Sequence, residues 1–237
     1  MIEIKNFSFT YPGGKRAVNN LSIEINEGDL FAFIGHNGAG KTTTIKAMVG
    51  ILSFTEGDII INGKSIKEKP IECKKEMAYI PDNPDLYDSL TGIQYLNFIA
   101  NIFGISLDMR KERIEKYAKE LEIYNDLGKL ISSYSHGMKQ KLAFVSAFLH
   151  DPKVLIMDEP FVGLDPKATF SVKKIMHEFC ENGGSIFFST HVLEVAEKLC
   201  NKIAIIKNGE LVVTGIMDEI TKDASLEDVF MEITDNA

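Results

Sequence analysis

Leu30-Phe31-Ala32-Phe33-Ile34-Gly35-His36-Asn37-Gly38-Ala39-Gly40-Lys41-Thr42 is the stretch that decides how this chain is read. Its continuous apolar run stops at a glycine, which suits a strand covered on both faces. A helix is expected to start near Gly40 and to end at Gly50. Between strand and helix, Gly35 to Thr42 fits the pattern G-x-x-x-x-G-K-[ST]. Glycines let successive backbone N–H groups point into one concavity and grip phosphate oxygens. The helix N-terminus behind the loop adds positive potential. On this reading Gly35, His36, Asn37, Gly38, Ala39 and Gly40 form the phosphate cradle, with His36 no more than a loop residue. Lys41 reaches the β- and γ-phosphates, the Thr42 hydroxyl binds Mg²⁺, and Thr43 is counted among the nucleotide-contacting residues.

A second segment completes the chemistry. Val154-Leu155-Ile156-Met157-Asp158-Glu159 reads as a buried strand ending in two carboxylates. Ligands of α/β sheets bind at such strand ends. Asp158 is expected to hold Mg²⁺ through water. Glu159, one residue later, points differently and is the candidate to orient or activate an attacking water. Loop and carboxylates together specify a nucleotide hydrolase, though not which kind.

Composition narrows the alternatives. The chain has 237 residues, 45% hydrophobic and 25% charged, in the range of an ordinary globular protein. Lys plus Arg number 26 against 34 Asp plus Glu, for a formal charge of -8, a poor balance for gripping a nucleic-acid backbone. Cys73, Cys180 and Cys200 are far apart and form no CxxC pair, so zinc or a redox motif is not expected. The N-terminus alternates like a strand and lacks the pattern of a signal peptide. No run approaches the ~18 apolar residues that a membrane span requires.

Further along, Ile2, Ile4, Phe7 and Phe9, then Leu21, Ile23 and Ile25, read as half-buried strands. Asp58 to Ile61 and Met77 to Ile80 are further short strands. From about Pro84 to His150 the character turns helical. Thr91 and Gln94 form a capping box before an apolar stretch to Phe103. Leu107 to Ile123 has helical spacing, and Gly137 to Leu149 is a third helix. Strand signals resume at Val154, Ile186 to Phe188 and Ile203 to Ile206. Asn208-Gly209 marks a hairpin turn, and Ser225 with Asp228 caps a last helix.

Tyr134-Ser135-His136-Gly137-Met138-Lys139-Gln140 opens a helix with Ser135 at its N-cap, and in this order before Asp158 it resembles the signature motif of ATP-binding cassette (ABC) proteins. The commonest form there is Leu-Ser-Gly-Gly-Gln, so this copy keeps Ser135 and Gly137 and departs at the other places. The resemblance extends over nearly the whole chain. Tyr11 stands where the family stacks an aromatic on adenine. Gly163-Leu164-Asp165 is similar to the loop whose aspartate crosses a dimer interface, and Asp165 is also a good N-cap before Pro166. Ser189-Thr190-His191 resembles the segment of the switch histidine, which bonds the γ-phosphate and helps hold the water. Tyr79-Ile80-Pro81-Asp82 aligns with a loop that usually carries Gln. Asp82 can ligate Mg²⁺ but cannot donate a hydrogen bond, and it is expected to near the ion only in a closed, ATP-bound state.

The resemblance implies an α/β fold: a P-loop NTPase (RecA-like) core with an N-terminal antiparallel β subdomain and an all-helical insertion. It implies one domain over 1–237, with core 1–84 and 151–237 and insertion at about 85–150. The function implied is the ATP-hydrolysing subunit of an ABC transporter of exporter-like type. Glu159, His191 and Lys41 would be catalytic. Tyr11, the loop from Gly35 to Thr43, Ser135, Gly137 and Asp165 would bind ATP, and Thr42, Asp158 and Asp82 would meet Mg²⁺. The partners implied are a second ATPase protomer and a separate transmembrane permease, placing the chain at the cytoplasmic face of the cell membrane. Leu86, Tyr87, Phe98, Ile99, Ile102 and Phe103 lie where that permease would dock; most are expected to be core, with about a third exposed. The Ser-His-Gly-Met signature and the ending Ser225 to Ile233 look exporter-like, and the regulatory domain of many sugar importers is not expected. The rival reading is a soluble ABC ATPase serving a cytosolic assembly or regulatory partner. Action on nucleic acid is not expected.

Overall fold

The computed structural model describes residues 1–235. Strand β1 (Ile2–Thr10) pairs antiparallel with β2 (Arg16–Ile25), and β3 (Leu30–Ile34) is buried throughout. Helix α1 (Lys41–Met48) is followed by β4 (Glu56–Ile61), β5 (Lys64–Ser65), α2 (Pro70–Glu76) and β6 (Met77–Ile80). The helical block holds α3 (Gly92–Ile102), α4 (Leu107–Glu120) and α5 (His136–Phe148). Then come β7 (Val154–Asp158), α6 (Pro166–Glu181), β8 (Ser185–Thr190), α7 (Leu193–Leu199), β9 (Lys202–Lys207), β10 (Glu210–Ile216), α8 (Met217–Ile220) and α9 (Leu226–Asp235).

Two sheets form. One is antiparallel with order β2-β1-β4-β5; the other has order β10-β9-β3-β8-β7-β6 and is parallel except for the β9–β10 hairpin. The pleat divides each central strand between two cores. Ala32, Ile34, Leu155, Met157, Ile186 and Phe188 face α3 to α6. Phe31, Phe33, Ile156 and Phe187 face α1 and the antiparallel sheet, with Phe31 and Phe187 stacked at 5.8 Å. Burial on both faces is why these strands read as unbroken apolar runs.

Local signals match the elements they start. Thr91 and Gln94 make the reciprocal capping box at α3, Ser106 caps α4, and Asp165 caps α6 with Pro166 at its first position. Asn208 (φ 51°) and Gly209 (φ 84°) take the left-handed pair that a two-residue hairpin needs.

Several details differ from the sequence reading. Helix α4 ends at Glu120, because Glu122 turns left-handed at φ 54° and a short 3₁₀ turn, Tyr124–Asp126, follows. Helices α2 and α7 were not expected, and each is a single short run of seven residues. Asn62-Gly63, the same dipeptide as Asn208-Gly209, makes a second hairpin between β4 and β5. The apolar group after Asp82 is less buried than expected. Tyr87, Phe98 and Ile102 are exposed, and Leu86, Ile99 and Phe103 are half-buried. Helix α3 turns Leu96 and Ala100 inward, so Phe98 and Ile102 are left on its outer side. Among the described residues no helix is long and apolar enough to cross a membrane.

Candidate active site

Three neighbouring parallel strands, β7, β8 and β3, end at the same edge of the sheet and carry the chemistry there. The loop after β3 enters α1 through Gly40, whose φ of 112° lies in the left-handed region. A Cβ at Gly40 would come within 2.6 Å of the Ala17 carbonyl oxygen, and one at Gly35 within 2.5 Å of that of Ile206. Only glycine fits either place. Helix α1 has no acidic residue in its first turn and no side-chain cap, so its positive end is not neutralised by the chain. That is the arrangement an anion exploits.

Lys41 lies back along the loop, with Nζ donating to the Gly35 carbonyl at 2.5 Å and to that of His36 at 3.3 Å. It is buried, and burial pulls its pKa down while the nearby Glu159 and Asp158 charges oppose the shift. The Thr42 hydroxyl donates to Asp158 Oδ2 at 2.9 Å, and Ser189 Oγ donates to Asp158 Oδ1. Asp158 is thus buried and held at both oxygens. Glu159 has φ 47°, a left-handed value that a non-glycine residue rarely adopts. Its backbone N–H is held by the Ser189 carbonyl at 3.2 Å, and the turn sends its side chain away from Asp158 to His191, with Nδ1···Oε1 at 2.8 Å. Backbone strain of this kind concentrates at functional sites.

Lys41, Thr42, Asp158 and Glu159 open onto one cleft of about 330 Å³. Tyr11 stands at its rim, edge-on to Phe9 at 4.9 Å and hydrogen-bonded to Thr43 Oγ1 at 3.0 Å. Asp82 lines the cleft from the loop after β6, its Oδ1 accepting from Asn83 N at 2.8 Å. Tyr79, just before it, has its phenol pKa pushed up by burial first and then by the Asp158 and Asp82 charges. The cleft gathers Asp82, Asp158 and Glu159 against Lys15 and Lys41. A polyphosphate entering it needs added positive charge. Thr42 Oγ1 and Asp158 Oδ2 are hard oxygen donors side by side, which fits Mg²⁺. Among the described residues no three His, Cys, Asp or Glu side chains form a cage for an ion. A cation here would therefore rely on phosphate oxygens and water, as Mg²⁺ commonly does.

The N-terminus of α5 sits apart from this cleft. Ser135 caps it, accepting from Met138 N at 3.3 Å. A Cβ at Gly137 would come within 2.6 Å of the Gly163 carbonyl oxygen, and one at Gly163 within 2.2 Å of His136 Cδ2. Asp165 accepts from Ala168 N at 2.8 Å and from Lys141 Nζ at 3.2 Å, and these two bonds, the backbone one first, lower its pKa. Gln140, fully buried, donates to the Pro160 carbonyl at 3.3 Å. Signature helix and the loop after Glu159 are therefore packed together.

The ABC transporter family model matches residues 18–162. The chain belongs to the ABC transporter family. It is 36% identical over 222 residues to the ABC-type transporter ATP-binding protein EcsA of Bacillus subtilis, covering 92% of this chain and 90% of that one. It is 34% identical over 211 residues to the bacitracin transport ATP-binding protein BcrA of Bacillus licheniformis, covering 89% of this chain and 68% of that one. A solved ATP-binding subunit of an ABC transporter superposes with a TM-score of 0.94 at 35% identity, covering 99% of each chain. The chain is accordingly an ATP-binding subunit of this family and an ATPase.

In this ABC ATPase the structure brings together Tyr11, Asn37, Gly38, Gly40, Lys41, Thr42, Thr43, Asp82, Asp158 and Glu159 around the cleft. His191 joins them through Glu159. Gly35 and Ala39 are buried in the loop's base, and His36 turns outward. Ser135, Gly137 and Asp165 do not line the cleft. Lys15 and Ala17 line it without having been singled out in the sequence. The turn Tyr11-Pro12-Gly13-Gly14 was the available signal: Tyr11 N donates to the Lys15 carbonyl at 2.9 Å, so the turn returns Lys15 to the side of Tyr11.

Proposed function

We propose that this chain is the ATP-driven subunit of an exporter-type ABC transporter, working as one of two cassettes beneath a separate membrane-spanning subunit at the cytoplasmic face. The observation that carries the transport reading is the exposed apolar group Tyr87, Phe98 and Ile102, next to the loop that brings Asp82 into the cleft. Tyr87 meets Phe98 edge-on at 5.5 Å. An aromatic patch of this kind marks a protein contact. A helix of the membrane subunit seated there would feel any displacement of the Asp82 loop. The placement of Ser135, Gly137 and Asp165 away from the cleft supports a second cassette, since each signature is then free to meet the partner's nucleotide. The named role of BcrA in bacitracin transport supports export.

In the mechanism ATP lays its phosphates along residues 35–42, and Lys41 exchanges the Gly35 and His36 carbonyls for phosphate oxygens. Tyr11 stacks the base. Thr42 and Asp158, with Asp82, would hold Mg²⁺, which would screen the phosphate charge. Water held by His191 and Glu159 attacks the γ-phosphorus; its proton passes to Glu159 and the bond to the bridging oxygen breaks, leaving ADP and phosphate. Affinity purification of the tagged chain from gently solubilised membranes of its host tests the reading. A multi-span protein in stoichiometric yield supports it. A soluble partner alone overturns the transport reading and favours an assembly or regulatory ATPase.

A further inference from the structure

Helix α9 is tied to the nucleotide site at both ends of the chemistry. Leu226 and Phe230, four residues apart, form its buried face, and Val229 and Ile233 pack beside them. Ser225 and Asp228 cap it reciprocally at 3.1 and 3.2 Å. From there Leu226 N reaches Glu197 Oε2 on α7 at 3.4 Å, and α7 begins two residues after His191. At the other end Lys207 Nζ, closing β9, donates to the Ile233 carbonyl at 2.9 Å. In the middle the Phe230 ring lies 4.8 Å from the His36 imidazole at 53°.

His36 is the residue of the phosphate loop whose carbonyl does two things. It accepts from Ala39 N at 3.0 Å, which closes the turn, and from Lys41 Nζ. Its own side chain is exposed, and the Phe230 ring lies against it. We propose that Phe230 is a positioning residue for ATP: its ring fixes His36, and the His36 backbone in turn fixes the curvature of the loop and the resting place of Lys41. Through Leu226 and Glu197 the same helix leans on α7 behind His191, so nucleotide occupancy and the order of α9 are linked, and by reciprocity each stabilises the other. This rests on the loop being the ATP site.

The test is steady-state ATPase kinetics on the full chain with Phe230→Ala, Phe230→Tyr, His36→Ala and the double variant Phe230→Ala/His36→Ala, each checked by melting curve. One aromatic contact predicts a rise in KM for ATP of about three- to tenfold in Phe230→Ala with kcat changed less than about twofold. Phe230→Tyr should restore the wild-type KM, and the double variant should be no worse than either single one, since both remove the same contact. A folded Phe230→Ala with wild-type KM, or singles whose effects simply add, overturns the proposal. Should Phe230→Ala not fold, hydrogen exchange of residues 226–233 in the wild-type chain decides: slower exchange with ATP is expected, and no change overturns it. Wild-type chain that neither binds nor hydrolyses ATP would instead remove the nucleotide reading itself.

Discussion

His191 Nδ1 lies 2.8 Å from Glu159 Oε1, although the two residues leave different strands of the sheet. The left-handed backbone at Glu159 makes this meeting possible, because it turns the carboxylate away from Asp158. The two neighbouring acids are thereby given separate tasks, one facing Thr42 and the other facing the imidazole. Glu159→Gln should keep the fold and the stabilisation by ATP while turnover falls by about 10²- to 10⁴-fold, the usual worth of a positioned base. Thermal shift with ATP, run beside a phosphate-release assay, checks it. Loss of the thermal shift would assign Glu159 to binding instead.

Lys41 is a buried cation that donates to two loop carbonyls, those of Gly35 and His36. Burial lowers its pKa, so the fold holds the charged form at a cost that Lys41→Ala removes. Lys41→Ala should therefore melt no earlier than wild type without nucleotide. It should also lose most of the stabilisation, about 2.7 kcal/mol, that ATP at a hundredfold excess over Kd gives the wild-type chain. A variant that melts much earlier without ATP would show Lys41 to be structural.

Gly137 faces the Gly163 carbonyl where no Cβ has room. Gly137→Ala should force the two segments apart at a cost of about 1–3 kcal/mol. Because neither glycine lines the cleft, ATP binding by the single chain should survive while steady-state ATP turnover is lost. Isothermal titration with a non-hydrolysable ATP analogue separates the two effects. Abolished binding would place the signature in the chain's own cleft.

His150 is half-buried, stacked on Phe103 at 3.9 Å, with one ring nitrogen on the Met77 carbonyl at 3.1 Å and the other buried without a partner. Burial, aided by the Arg113 charge, lowers its pKa below the ordinary 6.5, against the opposing effects of the Met77 carbonyl and Asp151. The unfolded chain therefore binds this proton at a higher pH than the native one does. Stability contributed by neutral His150 is complete above pH 6.5 and is lost as pH falls through 6.5 toward the lowered native value. His150→Phe keeps the stack and removes the titration, so its melting temperature should fall less steeply than wild type between about pH 7 and pH 5. Parallel curves would show that other groups set the acid limit.

Most of this site was legible because its parts carry strong local patterns. The run Leu30 to Ile34 followed by Gly35 to Thr42 combines a strand, a strained turn and a helix start in one stretch, and each is a local property. Asp158 and Glu159 are read as a pair only because a buried strand delivers them. Lys15 was legible only in part: the turn Tyr11-Pro12-Gly13-Gly14 signals a reversal of the chain, but the place of Lys15 also depends on where β2 lies against the loop. The Phe230–His36 contact joins distant stretches of sequence through tertiary packing alone, so no spacing announces it. Exposure of about a third of the apolar group after Asp82 was expected, but that it falls on Phe98 and Ile102 was not legible, for a related reason. An apolar residue on a helix signals burial, but α3 buries only the side that carries Leu96 and Ala100.

The strand order has a practical consequence for the helical block. That block leaves the sheet at β6, its outermost strand, and returns to the neighbouring β7. Helix α5 is cemented to the sheet through Leu142, Phe144, Val145 and Phe148, all buried, whereas α3 and α4 hang from α5. The segment from Gly92 to Glu120 is therefore the stretch of the helical block whose exchange would leave every strand in place and need only be matched to α5 through Leu96, Ala100, Ile114 and Ala118.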